Sequence, residues 1–350
     1  MSSPLTIVGT IVLATFTSYY ILVTWTRSRR AAEAIRVHGC RSIPKVQSWD
    51  PILGLDTFIQ IQKADAAGRR SEAYGALHRK YGQTFLVNSL GKELQTSQPE
   101  NIQAISLEKQ RSEDEQTGLK RYVLLEEMAK MTQDPYDLRM HIINVFFPAR
   151  DTAAIAFGDI IFELARHPAE RKKLKAEVDG ISTSQALPFE FLRLLRVTKD
   201  IINESLRLHP AASRLGKISL KDTVLTKGGG EDGQFPIFVP KGTVVKLDLY
   251  TLQKDPTIWG ADADVFRPDR WLDINRPLSE SKWQYEPFLG GIRMCPAQNQ
   301  VLIQLSYLLV RLAQEIQLIE NRDEVLEYLE RVTMTVESKN GAKVAAKHVN

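Results

Sequence analysis

Phe288-Leu289-Gly290-Gly291-Ile292-Arg293-Met294-Cys295 is the stretch on which the reading of this chain turns. A thiolate that binds iron needs positive charge nearby and backbone donors to hold its own charge. Gly290 and Gly291 allow a tight loop close to a flat cofactor, and Arg293 is a fixed cation two residues upstream. A long apolar helix, about 296–316, is expected to follow, and the positive end of its dipole favours an anion at Cys295. Phe288 can shield the sulfur from water. A lone cysteine is most commonly a buried structural residue, so the loop by itself leaves both roles open.

The surroundings narrow the choice of class. With 350 residues the chain can build one large domain or two small ones. A hydrophobic content of 43% and a charged content of 25% are ordinary for a globular protein. The net charge of +4, without basic patches interleaved with aromatics, gives no reason to expect nucleic acid as a partner. Cys40 and Cys295 are the only cysteines, which excludes a disulfide framework and favours reducing surroundings. His38, His78, His141 and His209 show no metal-ligand spacing.

Upstream of the cysteine, three groups of polar residues call for a role. Glu204 and Arg207, at i and i+3 on a helix expected over 188–208, share a face and can pair. Alone such a pair is most often exposed and worth roughly a few tenths of a kcal/mol. Pro148-Ala149-Arg150-Asp151-Thr152 lies in the apolar helical run 142–164. An acid followed by an alcohol is costly there unless it has a task; a cap and an ordinary helical threonine are the plain alternative. Pro148 should break the helical hydrogen bonding. Arg214 follows the 188–208 helix closely and reads equally as an anion-binding cation or a solvated surface residue.

The rest of the pattern is mainly helical with short strands. Helical character is expected over 51–82, ending at Gly82, and over 119–180 with breaks near Asp134-Pro135, Pro148 and His167-Pro168. Short strands are expected at 83–88 and 93–96, in pieces over 211–250, and over 325–336, with a disordered Lys/Ala-rich tail. Gly228-Gly229-Gly230-Glu231-Asp232-Gly233 lacks a following Lys-Ser/Thr and a following helix, so it reads as a hairpin loop and not a phosphate cradle. The polar stretch 106–118 reads as loop or junction. Leu5–Trp25 is uncharged, long enough at 1.5 Å per residue to span a bilayer core of about 30 Å. Arg27, Arg29 and Arg30 follow it, and Tyr19, Tyr20 and Trp25 suit the interfacial belt, so residues 1–30 are expected to form a membrane anchor with the remainder cytoplasmic.

Phe288-x-x-Gly291-x-Arg293-x-Cys295-x-Ala297 resembles the haem-binding signature of the cytochromes P450, with Ala297 where the family usually has glycine. Glu204-x-x-Arg207 is similar to the family's Glu-x-x-Arg helix, and Arg270 in Phe266-Arg267-Pro268-Asp269-Arg270-Trp271 to its third partner. The resemblance makes those three residues structural. Pro148-Ala149-Arg150-Asp151-Thr152 is similar to the family's oxygen-activation helix, with Pro148 and Ala149 at both small positions. By that likeness Asp151 and Thr152 are catalytic and relay protons to the oxygen being activated, and Arg214 pairs with a haem propionate. Asp50-Pro51-Ile52-Leu53-Gly54-Leu55-Asp56 and Tyr81-Gly82-Gln83-Thr84-Phe85 look like the fungal group that hydroxylates alkanes and fatty acids.

What the resemblance implies is a mainly α cytochrome P450 fold with small β-sheets, incomplete, behind an N-terminal transmembrane helix. Residues 31–350 would form the haem domain, with an internal segment missing near 106–118. The family's Trp-x-x-x-Arg helix and lid helices, normally there, are absent, which should leave apolar surface on the 142–164 helix without cover. The expected cofactor is haem b, its iron held by Cys295, with Arg293, Phe288, Gly291 and Arg214 as further cofactor-binding residues. The implied partners are NADPH-cytochrome P450 reductase and a lipophilic small molecule, and the implied location is the endoplasmic reticulum membrane, single-pass. The alternatives are a non-catalytic, degenerate P450-like membrane protein and, through Pro148 and Ala149, a haem-thiolate isomerase or dehydratase.

Overall fold

Helices make up about half of the described residues and the strands gather into small sheets, as the resemblance implies. The structure, a computed structural model, describes residues 4–107, 124–273 and 283–348. The elements begin with α1 (Pro4–His38), α2 (Leu55–Ala67), α3 (Arg70–Tyr81), β1 (Thr84–Asn88), β2 (Lys92–Thr96) and α4 (Pro99–Leu107). Next come α5 (Leu124–Met131), α6 (Pro135–Arg166), α7 (Pro168–Val178), α8 (Phe189–Leu192) and α9 (Arg196–Leu208). Then follow β3 (Arg214–Ile218), β4 (Thr223–Gly229), β5 (Phe235–Val239), β6 (Val244–Asp248), α10 (Leu249–Gln253), α11 (Pro256–Trp259) and α12 (Arg270–Asp273). The last are α13 (Gln298–Glu315), β7 (Ile316–Asn321), β8 (Glu330–Val332), β9 (Val336–Ser338) and β10 (Val344–His348). The polar stretch 106–118 lies outside the described residues from 108 onward.

Several expectations need correction. Pro148 does not break the helix: α6 runs unbroken past it, because one missing N–H removes only the bond to the carbonyl of Asn144. The tail is not disordered, since Val344–His348 pairs antiparallel with β7, whose edge groups take the tail's backbone hydrogen bonds. The helical stretch 51–82 splits at Gly68, held at φ +77° where a β-carbon would come within 2.9 Å of the Glu330 carbonyl. The expected anchor lies within α1, but among the described residues no helix is long and apolar enough to cross a membrane. Thr15, Thr17, Ser18 and Thr24 dilute the stretch, and the side chains of 5–13 lie outside the described residues.

The chain divides into two compact units. One comprises residues 1–58, 76–101 and 216–247. Its sheet runs in the order β1-β2-β6-β3, with β2 and β6 parallel, and buries Phe85, Leu94 and Leu247. A buried polar knot fixes the hairpin: Asn101 Nδ2 donates to the Lys227 carbonyl (3.1 Å), and the Thr84 and Thr96 hydroxyls lie 2.9 Å apart. Gly228 opens the loop between β4 and β5, and its N–H donates to the Gly233 carbonyl at 2.7 Å. The Gly-rich run is thus the hairpin loop that its composition suggests.

The other unit comprises 59–75, 102–215 and 248–350. Its core interleaves Ile160 and Leu164 of α6, Leu174 and Val178 of α7, Ile201 and Ile202 of α9, and Leu305 and Leu309 of α13. One edge of this core is polar. The buried Glu163 carboxylate faces His209 Nε2 at 2.6 Å and His167 Nδ1 at 3.2 Å. Tyr328 stacks on His209, centroids 3.9 Å apart, and donates to Asp159 Oδ1 at 2.9 Å. Burial alone would raise Glu163, but hydrogen bonds from both imidazoles outweigh it and hold the carboxyl down to about 2. Burial also lowers His209 below its ordinary value, and raises Asp159 well above its own.

The signs give a pH prediction. Glu163 is more acidic folded than unfolded, so its contribution is full above its ordinary 4.5 and lost as pH falls toward about 2. His209 acts in the same direction, losing stability as pH drops below its ordinary 6.5. His167, raised chiefly by its hydrogen bond to Glu163, acts oppositely: its contribution is full in acid and lost as pH rises above 6.5. The thermal midpoint should therefore fall steeply below pH 4.5, by the equivalent of about 3 kcal/mol from Glu163. Glu163→Gln should lower the midpoint at neutral pH and flatten that acid limb, and an unchanged limb would exclude Glu163 as its source.

Candidate functional site

Cys295 sits at the end of a loop that only an unusual backbone can make. Leu289, which is not a glycine, adopts φ +59°, and Gly291 follows at φ +73°. A non-glycine residue in the left-handed region is strained and tends to occur where surrounding structure demands it. Gly290 is hemmed in by Trp283, whose ring a β-carbon would meet at 2.7 Å, and Gly291 by the Ser106 carbonyl. A single 3₁₀ turn over Gly291–Arg293 returns the chain, and the Cys295 N–H closes the loop on the Phe288 carbonyl at 2.9 Å. The sulfur is therefore held at a fixed point just ahead of α13.

The thiol is free and half-buried. α13 starts at Gln298, slightly later than expected, with Ala297 as a cap that makes no side-chain hydrogen bond. The unsatisfied N–H groups of its first turn give the positive end that favours an anionic sulfur. Phe288 and Ala297 pack against the core of this unit, which keeps one flank of the loop dry. Arg293 is exposed. Among the described residues no group of three or more His, Cys, Asp or Glu could hold a metal ion. A single thiolate suits a metal held otherwise by a macrocycle, and the two glycines leave room for a flat one.

A second layer locks the loop's surroundings. Glu204 and Arg207 are fully buried and form two hydrogen bonds, Nε to Oε2 at 3.0 Å and Nη2 to Oε1 at 2.8 Å. Arg270 Nε adds a third to Glu204 Oε1 at 3.2 Å. The remaining guanidinium donors reach carbonyls: Arg207 those of Gln253 and Ala263, Arg270 those of Trp259 and Asp262. Tyr285 donates to the Asn203 carbonyl at 3.1 Å, and the Glu286 N–H to Gln253 Oε1 at 3.0 Å. The segment leading to the cysteine loop is thereby tied to α9 and α10. The pair expected at i, i+3 is structural, and far from being exposed it is among the most buried features of the chain.

The other expected residues are placed differently. Asp151 is exposed, its carboxylate 3.9 Å from Arg150 Nε, and Thr152 donates to the Pro148 carbonyl at 2.7 Å within its own helix. Arg214 lies over the Tyr74 ring, 3.1 Å from its centroid, and 4.0 Å from Asp248 Oδ2. Its Nε is buried without a hydrogen-bond partner, a donor with capacity to spare. Ile142, Ile143, Val145 and Phe146 of α6 are all exposed, 39% to 64%. At 3.6 residues per turn the four fall on one side of the helix, and an apolar stripe of that kind is normally buried. The cluster of Asp159, Glu163, His209 and Tyr328 escaped the sequence reading; acids at i, i+4 inside an apolar helical run were the signal for it.

Residues 85–343 match the family model described as Cytochrome P450. The chain is 37% identical over 234 residues to cytochrome P450 monooxygenase himC of Aspergillus japonicus, covering 67% of this chain and 41% of the relative. It is 38% identical to cytochrome P450 52A10 of Candida maltosa, over 57% of this chain and 39% of the relative. A third, cytochrome P450 monooxygenase fsdH of Fusarium heterosporum, is 37% identical over 65% and 39%. The chain spans about two fifths of the length of these curated relatives.

Truncating the buried ion pair tests the second layer. Arg207→Leu leaves Glu204 charged and half-partnered in a dry place, which should destabilise the fold by about 3–5 kcal/mol. Arg267→Leu removes a guanidinium that is 40% exposed and should cost about 1 kcal/mol or less. Thermal melts of the two variants side by side would separate these cases, and equal shifts would contradict the structural role of Arg207.

Proposed function

The chain belongs to the cytochrome P450 family, and on that premise we propose that it is a haem-thiolate monooxygenase acting on a lipophilic small molecule. The observation that carries this reading is the free, half-buried Cys295 thiol, set by a strained loop at the positive end of α13. When bound, haem b supplies the redox chemistry that inserts one atom of O2 into substrate and releases the other as water. Cys295 holds the iron as a thiolate. Gly291 keeps the loop flat beside the cofactor, Phe288 excludes water from the sulfur's flank, and Arg293 supplies positive potential beside it.

Protons are the task of α6. The Thr152 hydroxyl, now bonded to the Pro148 carbonyl, can turn from that acceptor and hold a proton towards the reacting oxygen. Asp151, exposed to solvent, reloads it from water. The spare Nε of Arg214 suits a carboxylate such as a propionate, which Arg214 can meet by sliding off Tyr74. The exposed apolar residues of α6 offer a wall for a lipophilic substrate. Electrons come from NADPH-cytochrome P450 reductase, and α1 keeps the chain at the endoplasmic reticulum membrane with the rest cytoplasmic.

A second reading, a non-catalytic P450-like membrane protein, is favoured by the uncovered half of α6 and by Arg214's engagement with Tyr74 and Asp248. One spectrum separates the two. The chain expressed in membranes, reduced and exposed to carbon monoxide, should show a strongly red-shifted Soret band, and Cys295→Ser should lose it. Well-expressed chain without bound haem would sink the monooxygenase and leave the second reading. A band that survives in Cys295→Ser would refute the ligand assignment.

A further inference from the structure

Arg214 is held where it stands from three sides. Its guanidinium lies over the ring of the buried Tyr74, 3.1 Å from the centroid. Asp248 Oδ2 lies 4.0 Å from its Nε, and the other oxygen of that buried carboxylate accepts from the Thr251 N–H at 2.9 Å. The third side is Glu330, also buried. Burial pushes its carboxyl up, and the Arg214 charge is among the influences that pull it back. The Ser71 N–H, one turn before Tyr74 on α3, donates to the same carboxylate. The backbone beside the arginine is pinned, because the Ser213 carbonyl accepts from the N–H groups of Leu249 (2.9 Å) and Tyr250 (3.2 Å). A change of partner must therefore be made by the side chain.

These contacts must be loosened before the guanidinium can meet a carboxylate carried in by a cofactor. A cation on a desolvated aromatic face is held more firmly than one in water, and two buried acids lose their compensation if it moves away. When the binding-competent arrangement is only fractionally populated, the apparent affinity falls by that fraction. We propose that Tyr74, backed by Asp248 and Glu330, is a brake on cofactor loading that holds Arg214 off a haem propionate. The inference rests on the haem reading given above and adds to it an autoinhibitory contact, one whose removal strengthens binding. Tyr74 acts through Arg214 and is a positioning residue.

The test titrates the full chain in detergent with haem b and with its dimethyl ester, whose propionates carry no charge. Binding is followed by the Soret band and by quenching of tryptophan fluorescence. Tyr74→Leu should bind haem b about tenfold more tightly than the natural chain, and Tyr74→Phe, which keeps the ring, should match the natural chain. The gain should vanish with the dimethyl ester and in the Arg214→Leu background. If Tyr74→Leu loses its cooperative melt, Tyr74→Met, closer in length to tyrosine, takes its place. Haem b bound no more tightly by the ring-less variant overturns the brake. An equal change for haem b and the ester makes Tyr74 a packing residue only and overturns it too. Failure of every chain, the natural one included, to bind haem b overturns the haem-thiolate reading and the brake with it.

Discussion

Glu204 takes two guanidinium groups in a place where no water reaches any of the three. A carboxylate in such surroundings is tolerable only if its charge and its lone pairs are met in full. Arg207 and Arg270 meet them, and they then present further N–H groups that must also be satisfied. Those groups reach the carbonyls of Gln253, Trp259, Asp262 and Ala263. The segment 253–270 has little regular structure to absorb its own backbone bonds. It is shaped instead by the donors of two arginines, and remove either arginine and several main-chain groups lose their partners together.

The cysteine loop inherits its position from this arrangement. Gln253 accepts from the Glu286 N–H while its amide donates to the carbonyls of Leu206 and Arg207. Tyr285 reaches Asn203 on α9, and Trp271 packs edge-on against Tyr285 at 4.7 Å. The helix that carries the buried acid therefore also fixes the approach to Phe288. A loop forced through φ +59° at a leucine needs such support on its near side. The sulfur is held by geometry that was settled at a distance from it.

Much of this was legible because the chemistry is local or nearly so. Glycines that permit a left-handed turn, a proline-bounded helix, and an acid and a base three residues apart all declare themselves within a few positions. Burial does not. Spacing alone made Glu204 and Arg207 an exposed pair, and only the long-range arrival of Arg270 makes them a core feature. The same limit hid His209, whose partner Glu163 lies 46 residues away. Pro148 misled in the opposite direction, because a single missing donor in a helix of 32 residues is outvoted by its neighbours. The tail misled because an edge strand's need for partners is invisible in the sequence of the strand that supplies them.

α6 shows where the support runs out. From Ala156 onward it buries Ile160 and Leu164 among three other helices, and its acids are met by imidazole and phenol. Before Pro148 the same helix presents Ile142, Ile143, Val145 and Phe146 to solvent along one face. Water then competes for the carbonyls of that half, and Pro148 has already removed one of its bonds. The Thr152 hydroxyl donates to the Pro148 carbonyl at 2.7 Å, a side-chain bond just beyond the gap and not at it. Under the proposed proton-handling role, that bond is the one Thr152 must surrender. In the proposed role, the exposure of Asp151 is what lets Thr152 exchange its proton with solvent once that bond is given up.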